Sequence, residues 1–347
     1  MDSFGIWCRP NKSCCPSGSE HAEVCPPVDL HVNLWDIGKS GDTPFIDIGI
    51  LLTDWRAYDE LLLYIPFDVE ESNLNDLSDS LMDQVTANLV FNEACEIHSR
   101  FSEVKTLERE HGEETILYSF ANRNSNKPTL SHHRDADGKD WCIATFNFKA
   151  CGQRNDFTDW NRLYLRFRID SPSIEKELFC DIERKNQFLE SGFEATRIAD
   201  IKFNMKRNIP KDAIDEMNSD GGMPIAMSNI HFLLIEPANN NIDYYGVELA
   251  DCRKLEDEWD KYLGNKGGEV GDLLAYHWKR KGKEEELLAD YSLMVRVTRP
   301  DTNWKVIGVY LLVGVGLNIV ASILCEWVPR GLCVLRQLLG ITLGIMK

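Results

Sequence analysis

The feature that most constrains this chain is an apolar run near its C-terminal end. Residues 306–328 make 23 positions with a single charged side chain, Glu326. At about 1.5 Å per residue a helix of this length is about 34 Å long, enough to cross the ~30 Å hydrocarbon core of a bilayer. Trp304 and Trp327 lie at its ends, where indole rings favour the membrane interface. The run predicts a transmembrane helix rather than the alternative, a helix buried in a soluble core.

Small and polar residues recur every four positions inside this run. An amide or a carboxylate that faces lipid is costly, so such a line favours a helix–helix contact or a water-filled pore. The residues alone leave both readings open. This polar seam consists of Tyr310, Gly314, Asn318, Ser322 and Glu326.

The segment after Pro329 is also apolar, but it is short. The 16 residues 331–346 would form a helix of about 24 Å. Gly340 and Gly344 form a small-residue packing motif. A short hairpin is therefore an alternative to a single span, and in it Arg336 could neutralise Glu326.

The remainder of the chain is acidic and has the composition of a folded protein. The 347 residues carry a formal charge of −18, and 43% of them are apolar, which is enough for a large core. An acidic body argues against non-specific binding to nucleic acid or to an anionic membrane surface. An anionic ligand would need a local basic site.

The 11 cysteines and the N-terminal sequence predict a cytosolic body. The first 20 residues lack the apolar stretch of a signal peptide, so we expect a reducing compartment. Residues 1–27 are interpreted as a flexible leader with free thiols. The alternative is a zinc site, although the cysteine spacing lacks paired knuckles. The cysteines concerned are Cys8, Cys14, Cys15 and Cys25.

Alternating apolar residues predict a β-rich body over residues 28–244. In "VDLHVNLW", Val28, Leu30, Val32 and Leu34 alternate with polar or aromatic residues. A helix is expected over residues 75–93, a helical connector over 245–303 and the transmembrane region over 304–347. The predicted fold class is α+β: a β-rich antiparallel cytosolic body, a helical connector, and a C-terminal transmembrane helix or short hairpin.

Catalytic motifs are weak throughout the chain. The sequence contains no P-loop, no G-x-S-x-G and no H-E-x-x-H. "HHRDADGKD" at 132–140 resembles part of a kinase catalytic loop but lacks the required asparagine, and a polar turn is the expected reading. We therefore predict no enzyme activity, no cofactor and no metal site.

Two predicted strands carry a basic face in this acidic chain. Guanidinium groups that flank a tyrosine can hold phosphates and stack on a base. The alternative is a solvated strand face whose cations pair with neighbouring carboxylates. The candidate ligand-binding residues are Arg162, Tyr164, Arg166, Arg168, Lys202 and Lys206.

This organisation resembles that of bacterial anti-phage membrane effectors, of which the Hailong channel-forming effector is one example. The resemblance covers the layout of most of the chain and carries over no individual residue. It implies a homo-oligomer in the cell inner membrane, whose cytoplasmic domain senses a ligand such as a nucleotide or oligonucleotide and gates a C-terminal membrane channel or membrane-disrupting segment. The alternative function is a tail-anchored binding or scaffold protein without channel activity.

Overall fold

The computed structural model describes residues 2–12, 25–38, 43–99, 105–110, 112, 114–120, 127–135, 137–149, 160–182, 194–245, 247–264, 272–282, 286–300 and 304–344. The chain divides into two compact units. The first comprises residues 1–181 and 197–297, and the second comprises residues 182–196 and 298–347.

Strand is the most common secondary structure in the described chain. The strands are β1 (Gly5–Pro10), β2 (Val28–Trp35), β3 (Phe45–Leu52), β4 (Tyr58–Ile65), β5 (Leu74–Asp76), β6 (Cys95–Ser99), β7 (Lys105–Arg109), β8 (Thr115–Tyr118), β9 (Thr129–Arg134), β10 (Asp140–Asn147), β11 (Arg162–Ile169), β12 (Phe179–Ile182), β13 (Glu194–Phe203), β14 (Met223–Pro224), β15 (Met227–Pro237), β16 (Asn241–Tyr245), β17 (Asp251–Lys254), β18 (Leu273–Lys281) and β19 (Tyr291–Pro300). The helices are α1 (Gln84–Phe91), α2 (Ser173–Leu178), α3 (Lys211–Asn218), α4 (Trp259–Leu263) and α5 (Trp304–Gly344).

Within the described residues these strands form three sheets. The first has the order β14-β1-β4-β10-β9. The largest runs β17-β18-β15-β2-β3-β11-β8-β7-β6, with β5 also paired to β11, and the third runs β12-β13-β19-β16. Most of the pairs with a defined register are antiparallel, but β15–β2 and β11–β8 are parallel. The predicted β-rich body is confirmed, and its large sheet is mixed rather than purely antiparallel.

The main core contains the inward faces of all three sheets. Ile6 from β1 and Phe146 from β10 belong to the same buried cluster as Val32 from β2 and Phe167 from β11, and Ile201 from β13 joins them. Each strand supplies alternate residues to this core because side-chain direction reverses at every residue. The intervening residues of the large sheet therefore lie on its outer face.

Short helices cover the outer faces of two sheets. Ala213 and Met217 of α3 pack with Trp7 and Trp141 of the five-stranded sheet. On the large sheet, α4 contributes Trp259 to a cluster that includes residues of β2, β3, β15 and β18, whereas α1 packs with residues of β3, β6, β7, β8 and β11. A stretch of the outer face over β2, β15 and β18 lies open beside these two coverings.

The N-terminal segment is built into the fold rather than forming a flexible leader. Strand β1 pairs with β4 over residues 5–10, and Cys8 is fully buried. Cys8 and Cys25 form a disulfide, which corrects the expectation of free thiols and removes both from any zinc site. Cys14 and Cys15 lie outside the described residues.

Two predicted helical segments are largely strands. The helix expected over 75–93 is limited to α1, since residues 74–76 form β5. The connector expected over 245–303 contains β17, β18 and β19, with α4 as a single helical turn. In β19, Tyr291, Leu293, Val295 and Val297 are buried at every second position, which is the period of a strand. A helix had been favoured by the helical stripe of Leu249, Cys252, Leu255, Trp259 and Tyr262 and by the composition of residues 271–297.

The C-terminal segment forms one helix, α5, which is 41 residues long. Its portion Ile307–Cys325 is long and apolar enough to cross a membrane. The helix continues past Pro329, so the structure has a single helix where the hairpin was the alternative. Large apolar side chains such as Leu311, Leu312 and Leu317 are exposed along it.

Candidate functional site

The outer face of the large sheet carries three adjacent rows of side chains. The middle row crosses five strands and contains Lys279, His231, His31, Gly49 and Arg166. On one side lies the row Asp251, His277, Leu233, Asn33, Asp47 and Arg168. On the other lies the row Lys281, Asn229, Asp29, Leu51 and Tyr164. Most of these side chains are polar, which is unusual for the centre of a sheet.

One half of this face is covered and forms a buried network around Asp47. The Asp47 carboxylate is fully buried and accepts two hydrogen bonds from Arg168, at 2.7 and 3.1 Å. It also accepts from Trp35 Nε1 at 2.9 Å and from the hydroxyl of Tyr262, on α4, at 2.8 Å. Four donors thus hold one buried carboxylate, as burial of a charge requires.

Arg166 extends the buried network towards the open half. Its Nε donates to the Tyr262 hydroxyl at 2.7 Å, and its Nη1 donates to the Tyr164 hydroxyl at 3.1 Å. The side-chain amide of Asn33 is oriented with its nitrogen donating to Val32 O, and in this orientation its oxygen accepts from Arg166 Nη2 at 3.0 Å. Arg166 is 1% exposed and is bonded here to neutral groups. Two buried guanidinium groups therefore share the one carboxylate that the described residues supply to them.

Gly49 allows the buried network to reach His31. A Cβ atom at Gly49 would lie 2.0 Å from the Tyr164 hydroxyl oxygen, so only glycine leaves room for this phenol. The hydroxyl lies 3.2 Å from His31 Nδ1. Because desolvation disfavours the phenolate, burial also raises the pKa of Tyr164, which keeps the phenol protonated as a donor.

The open half of the face is a pocket of about 460 Å³, here called the histidine pocket. Its floor is formed by β2, β15 and β18, and its walls by the end of α1, by β7 and by β17. Such a volume lies within the range typical of small-molecule sites. The lining side chains are those of Asp29, His31, Asn33, Leu89, Val90, Phe91, Asn92, Glu93, Arg109, Asn229, His231, Leu233, Asp251, Arg253, Ala275, His277, Lys279 and Lys281.

The centre of the floor is formed by three histidines on adjacent strands. These residues, His31, His231 and His277, are here called the histidine row. The rings of His31 and His231 are 5.1 Å apart, and those of His231 and His277 are 5.3 Å apart. His231 Nδ1 lies 3.2 Å from His277 Nε2, a hydrogen-bond distance. All three histidines are half-buried.

The histidine row is neutral in the ligand-free protein at neutral pH. Desolvation and the nearby Lys279 and His277 lower the pKa of His231 to about 4. Desolvation also holds the pKa of His31 well below its ordinary value, with further contributions from His231 and Arg166, and desolvation and Lys279 lower that of His277. Burial next to fixed positive charge thus disfavours three imidazolium ions side by side.

The walls combine cations with an aromatic ring. The Phe91 ring lies 5.9 Å from that of His31 and 5.0 Å from that of Tyr164, and the Arg109 guanidinium lies 5.7 Å from the Phe91 ring centre. Arg253 on the opposite wall donates to Asn92 Oδ1 at 2.7 Å. Asn92 follows α1 in a left-handed conformation with φ 55°, which turns the chain towards this wall.

The carboxylates of the pocket are already engaged. Glu93 pairs with Arg109 at 3.2 Å, and Asp29 accepts from Ser228 Oγ at 2.7 Å and Asn229 Nδ2 at 2.8 Å. Asp251 accepts from the backbone amide of Cys252. Lys279 and Lys281 are exposed at the edge and have no partner in the part of the chain that the structure describes. The pocket therefore offers cations and donors in a protein whose net charge is −18.

The six predicted ligand residues do not form one site. Tyr164, Arg166 and Arg168 belong to the buried network rather than to a solvated strand face, while Arg162 is half-buried at the start of β11. Lys202, on β13, pairs with Asp200 at 2.5 Å, and exposed Lys206 begins a 3-10 turn. The main core lies between the two groups. Phe167, which Arg166 and Arg168 flank on β11, and Ile201, which Lys202 follows on β13, both point into this core.

The polar seam lies along α5, and the structure describes most of it. Tyr310, Gly314, Asn318 and Ser322 are all exposed. Ser322 Oγ donates to the backbone oxygen of Asn318 at 2.9 Å, which satisfies this hydroxyl within the helix. The side chains of Glu326 and Arg336 lie outside the described residues, so their predicted interaction stays a prediction.

The histidine row could not be read from the sequence motifs. His31 lies on a strand that was predicted, and its alternation placed it away from the core. His277 lies in "AYHWKRK", which was interpreted as helical, and its pairing depends on the β15–β2 and β15–β18 registers. The signal that could have identified this strand is the alternation of side chains over residues 273–281, which is typical of a β-strand.

No family model and no curated protein matches this chain. Among the residues that the structure describes, no group of three or more histidine, cysteine, aspartate or glutamate side chains is arranged to hold a metal ion.

We expect Asp47→Ala to reduce the free energy of unfolding by about 3–5 kcal/mol, because it leaves Arg168 buried without its partner. Denaturant unfolding of the full-length protein in detergent, followed by tryptophan fluorescence, measures this change. The matched control is Asp140→Ala, which removes the exposed pair with Arg134 and should change stability little. Equal effects of the two substitutions would contradict the assigned role of Asp47.

We expect acidification from pH 7 to pH 5 to destabilise the wild-type protein more than the variant His231→Gln. The pKa of His231 is lowered in the folded state, so the unfolded state binds more protons between about pH 6.5 and pH 4, and stability decreases as the pH is lowered through this range. Thermal unfolding midpoints at both pH values provide the measurement. His132→Gln, at an exposed position on β9, should retain the wild-type pH dependence, and an unchanged dependence in His231→Gln would refute the expectation.

Proposed function

We propose that this protein is a membrane-anchored sensor whose β-rich body binds a small anionic ligand in the histidine pocket. The observation that carries the proposal is the charge of this pocket. Arg109, Arg253, Lys279 and Lys281 line it, and the buried pair Arg166 and Arg168 lies beside its floor. In a chain of net charge −18, such a cluster is the local basic site that an anion requires.

The size of the pocket favours a small molecule over a polymer. About 460 Å³ suits a ligand of drug size, such as a single nucleotide, and the Phe91 and histidine rings supply flat surfaces for a planar group. An oligonucleotide would have to extend beyond the walls. Within this proposal a nucleotide therefore ranks above an oligonucleotide.

The proposed output acts through α5. Asn318 places an amide in the middle of the candidate span, and this amide has no hydrogen-bond partner among the described residues. The described part of the chain contains one candidate span, so a partner for Asn318 would come from another copy of the chain or from water in a lumen. Both favour a homo-oligomer, and a lumen would make the protein a channel-forming effector of the anti-phage kind.

The second candidate function is a tail-anchored binding protein without channel activity. It is favoured by the length of the polar seam, since residues four apart drift around a helix by about 40° per step and do not stay on one lumen-facing line. In this case the helix tethers the body, and ligand binding is read out by another protein.

Placement in the cell inner membrane with the body in the cytoplasm belongs to the same proposal. The Cys8–Cys25 disulfide bears on it, because disulfides persist mainly in oxidising compartments. A cytoplasmic body would hold this buried pair as thiols, whereas a body on the other side would hold it as a disulfide.

Deletion of residues 304–347 is expected to move the protein from the membrane fraction to the soluble fraction, because it removes the apolar helix.

Asn318→Leu is the companion variant: it should stay in the membrane fraction, and in liposomes it should lose ion flux if the polar seam lines a pore. Full flux in Asn318→Leu would favour the tail-anchored alternative. A full-length protein that is soluble without detergent would contradict both functions.

We expect Lys279→Glu to weaken binding of an anionic ligand by at least about tenfold, since it replaces a charge-assisted contact with repulsion. The ligand is to be found by thermal-shift screening of mono-, di- and cyclic nucleotides against the full-length protein in detergent, followed by calorimetry at two salt concentrations. Lys206→Glu is the matched control, because Lys206 lies outside the pocket. If Lys206→Glu weakens binding and Lys279→Glu does not, the ligand site is elsewhere.

A further inference from the structure

We propose that the ligand presents a phosphate-like oxyanion to the histidine row and that the His231–His277 pair takes up a proton when this group binds. The inference rests on the proposed function, since it names the chemistry by which the histidine pocket would recognise its ligand. It goes further in assigning the recognition to three imidazoles and to a change in their protonation.

The buried network fixes which nitrogen of His31 carries the proton. The Tyr164 hydroxyl accepts a hydrogen bond from Arg166 Nη1. For the proton of this hydroxyl, the acceptor among the described residues is His31 Nδ1. If Nδ1 carried the proton, the buried hydroxyl would be left without an acceptor, which is costly. His31 is therefore protonated at Nε2, and this N–H is a donor at the pocket floor with no partner among the described residues.

The next two histidines share one hydrogen bond. Between His231 Nδ1 and His277 Nε2, at 3.2 Å, one nitrogen donates and the other accepts. Each neutral imidazole carries one N–H proton, and one of these two protons lies in the hydrogen bond. One further proton would convert the pair into a donor with a positive charge, directly beside His31.

The charges that face this pair determine the conditions under which the additional proton binds. Lys279 and Arg109 disfavour it for His231, and Lys279 and Arg253 disfavour it for His277. Asp29 acts in the opposite direction on His231, and Asp251 does so on His277. Lys281 at the pocket edge adds further positive charge, while the Glu93 carboxylate is engaged by Arg109. Without a ligand the cations and burial prevail, and the pair is neutral.

A bound oxyanion reverses this balance. A dianion over the histidine row offsets the field of Arg109, Arg166 and Lys279 and stabilises an imidazolium beneath it. It can also accept from His31 Nε2, from Lys279 and from the protonated pair, which suits an anion with several oxygen acceptors. Binding is then linked to proton uptake, so the affinity rises as the pH falls.

The test measures binding of inorganic sulfate to the full-length protein in detergent by calorimetry between pH 8 and pH 6. Sulfate keeps its two charges over this range, whereas the second pKa of a phosphate ester is about 6. Any pH dependence of the sulfate affinity therefore comes from the protein. Buffers of different ionisation enthalpy count the protons taken up, and this count on the wild-type protein needs no variant.

We expect the sulfate affinity to rise by about tenfold from pH 8 to pH 6, which is below the limit of about a hundredfold that uptake of one proton sets over two pH units. His231→Gln keeps a hydrogen-bonding side chain but leaves only His277 of the pair to take the charge, so its sulfate affinity should depend on pH much less than that of the wild type. The control His132→Gln should behave like the wild type. If His231→Gln does not fold, His277→Asn replaces it, with the fold verified by thermal unfolding at pH 8.

The result that would overturn the inference is sulfate binding without proton uptake, or with the same pH dependence in the wild type and His231→Gln. The inference fails while the proposed function stands if a nucleotide from the screen binds, Lys279→Glu weakens this binding, and sulfate does not displace the nucleotide. If neither sulfate nor any nucleotide binds, both fail. Adenosine 5′-monophosphate and glycerol 3-phosphate, added as competitors, show whether the phosphate belongs to a molecule with a planar ring.

Discussion

The carboxylate of Asp47 is the interaction on which the outer face of the large sheet depends. It is fully buried in the covered half of the face and is bonded to Arg168, Trp35 and Tyr262. These partners come from β11, β2 and α4, so one charged group joins the middle of the sheet to the helix that covers it. Burying a charge is tolerated because every lone pair has a donor, and the same completeness fixes the positions of the donors. Tyr262 then orients Arg166, Arg166 orients Tyr164, and Tyr164 orients His31.

This chain of contacts also supports the proposal that the pocket beside it binds an anion. Asp47 neutralises one of the two buried guanidinium groups, and Arg166 is left with neutral partners. The uncompensated charge lies beside the floor of the histidine pocket, where the low dielectric screens it little. Burial lowers the pKa of His31 most, and Arg166 lowers it further, since a cation next to this guanidinium is disfavoured. An anion in the pocket would experience the same field with the opposite sign.

The sequence predicted those parts of the fold whose signals are local. The alternation in β2 and β11 identified both strands, and the apolar run identified a helix able to cross a membrane. For β11 the polar face was correctly separated from the apolar one, but its burial was missed. Asp47, which neutralises Arg168, and Tyr262, which bonds to Arg166, lie 121 and 96 residues away from these arginines along the chain. Composition misled the reading of β18, whose lysines suggested a helix although Tyr276 and Trp278 alternate with His277 and Lys279. The histidine row brings together residues 31, 231 and 277, and no spacing along the chain indicates that they are neighbours.

The choice of histidines over lysines at the centre of the floor has a physical reason. Permanently charged side chains at positions 31, 231 and 277 would repel Arg166 and one another whenever the pocket was empty, and the folded state would bear that cost continuously. Imidazoles avoid this cost because burial and the field of the neighbouring cations favour their neutral form. They can regain charge only when an anion compensates that field, so the positive charge is present when it contributes to binding and absent when it would destabilise the sheet. A site of this kind is strongest for ligands that carry the most negative charge, since those ligands shift the protonation of the row furthest.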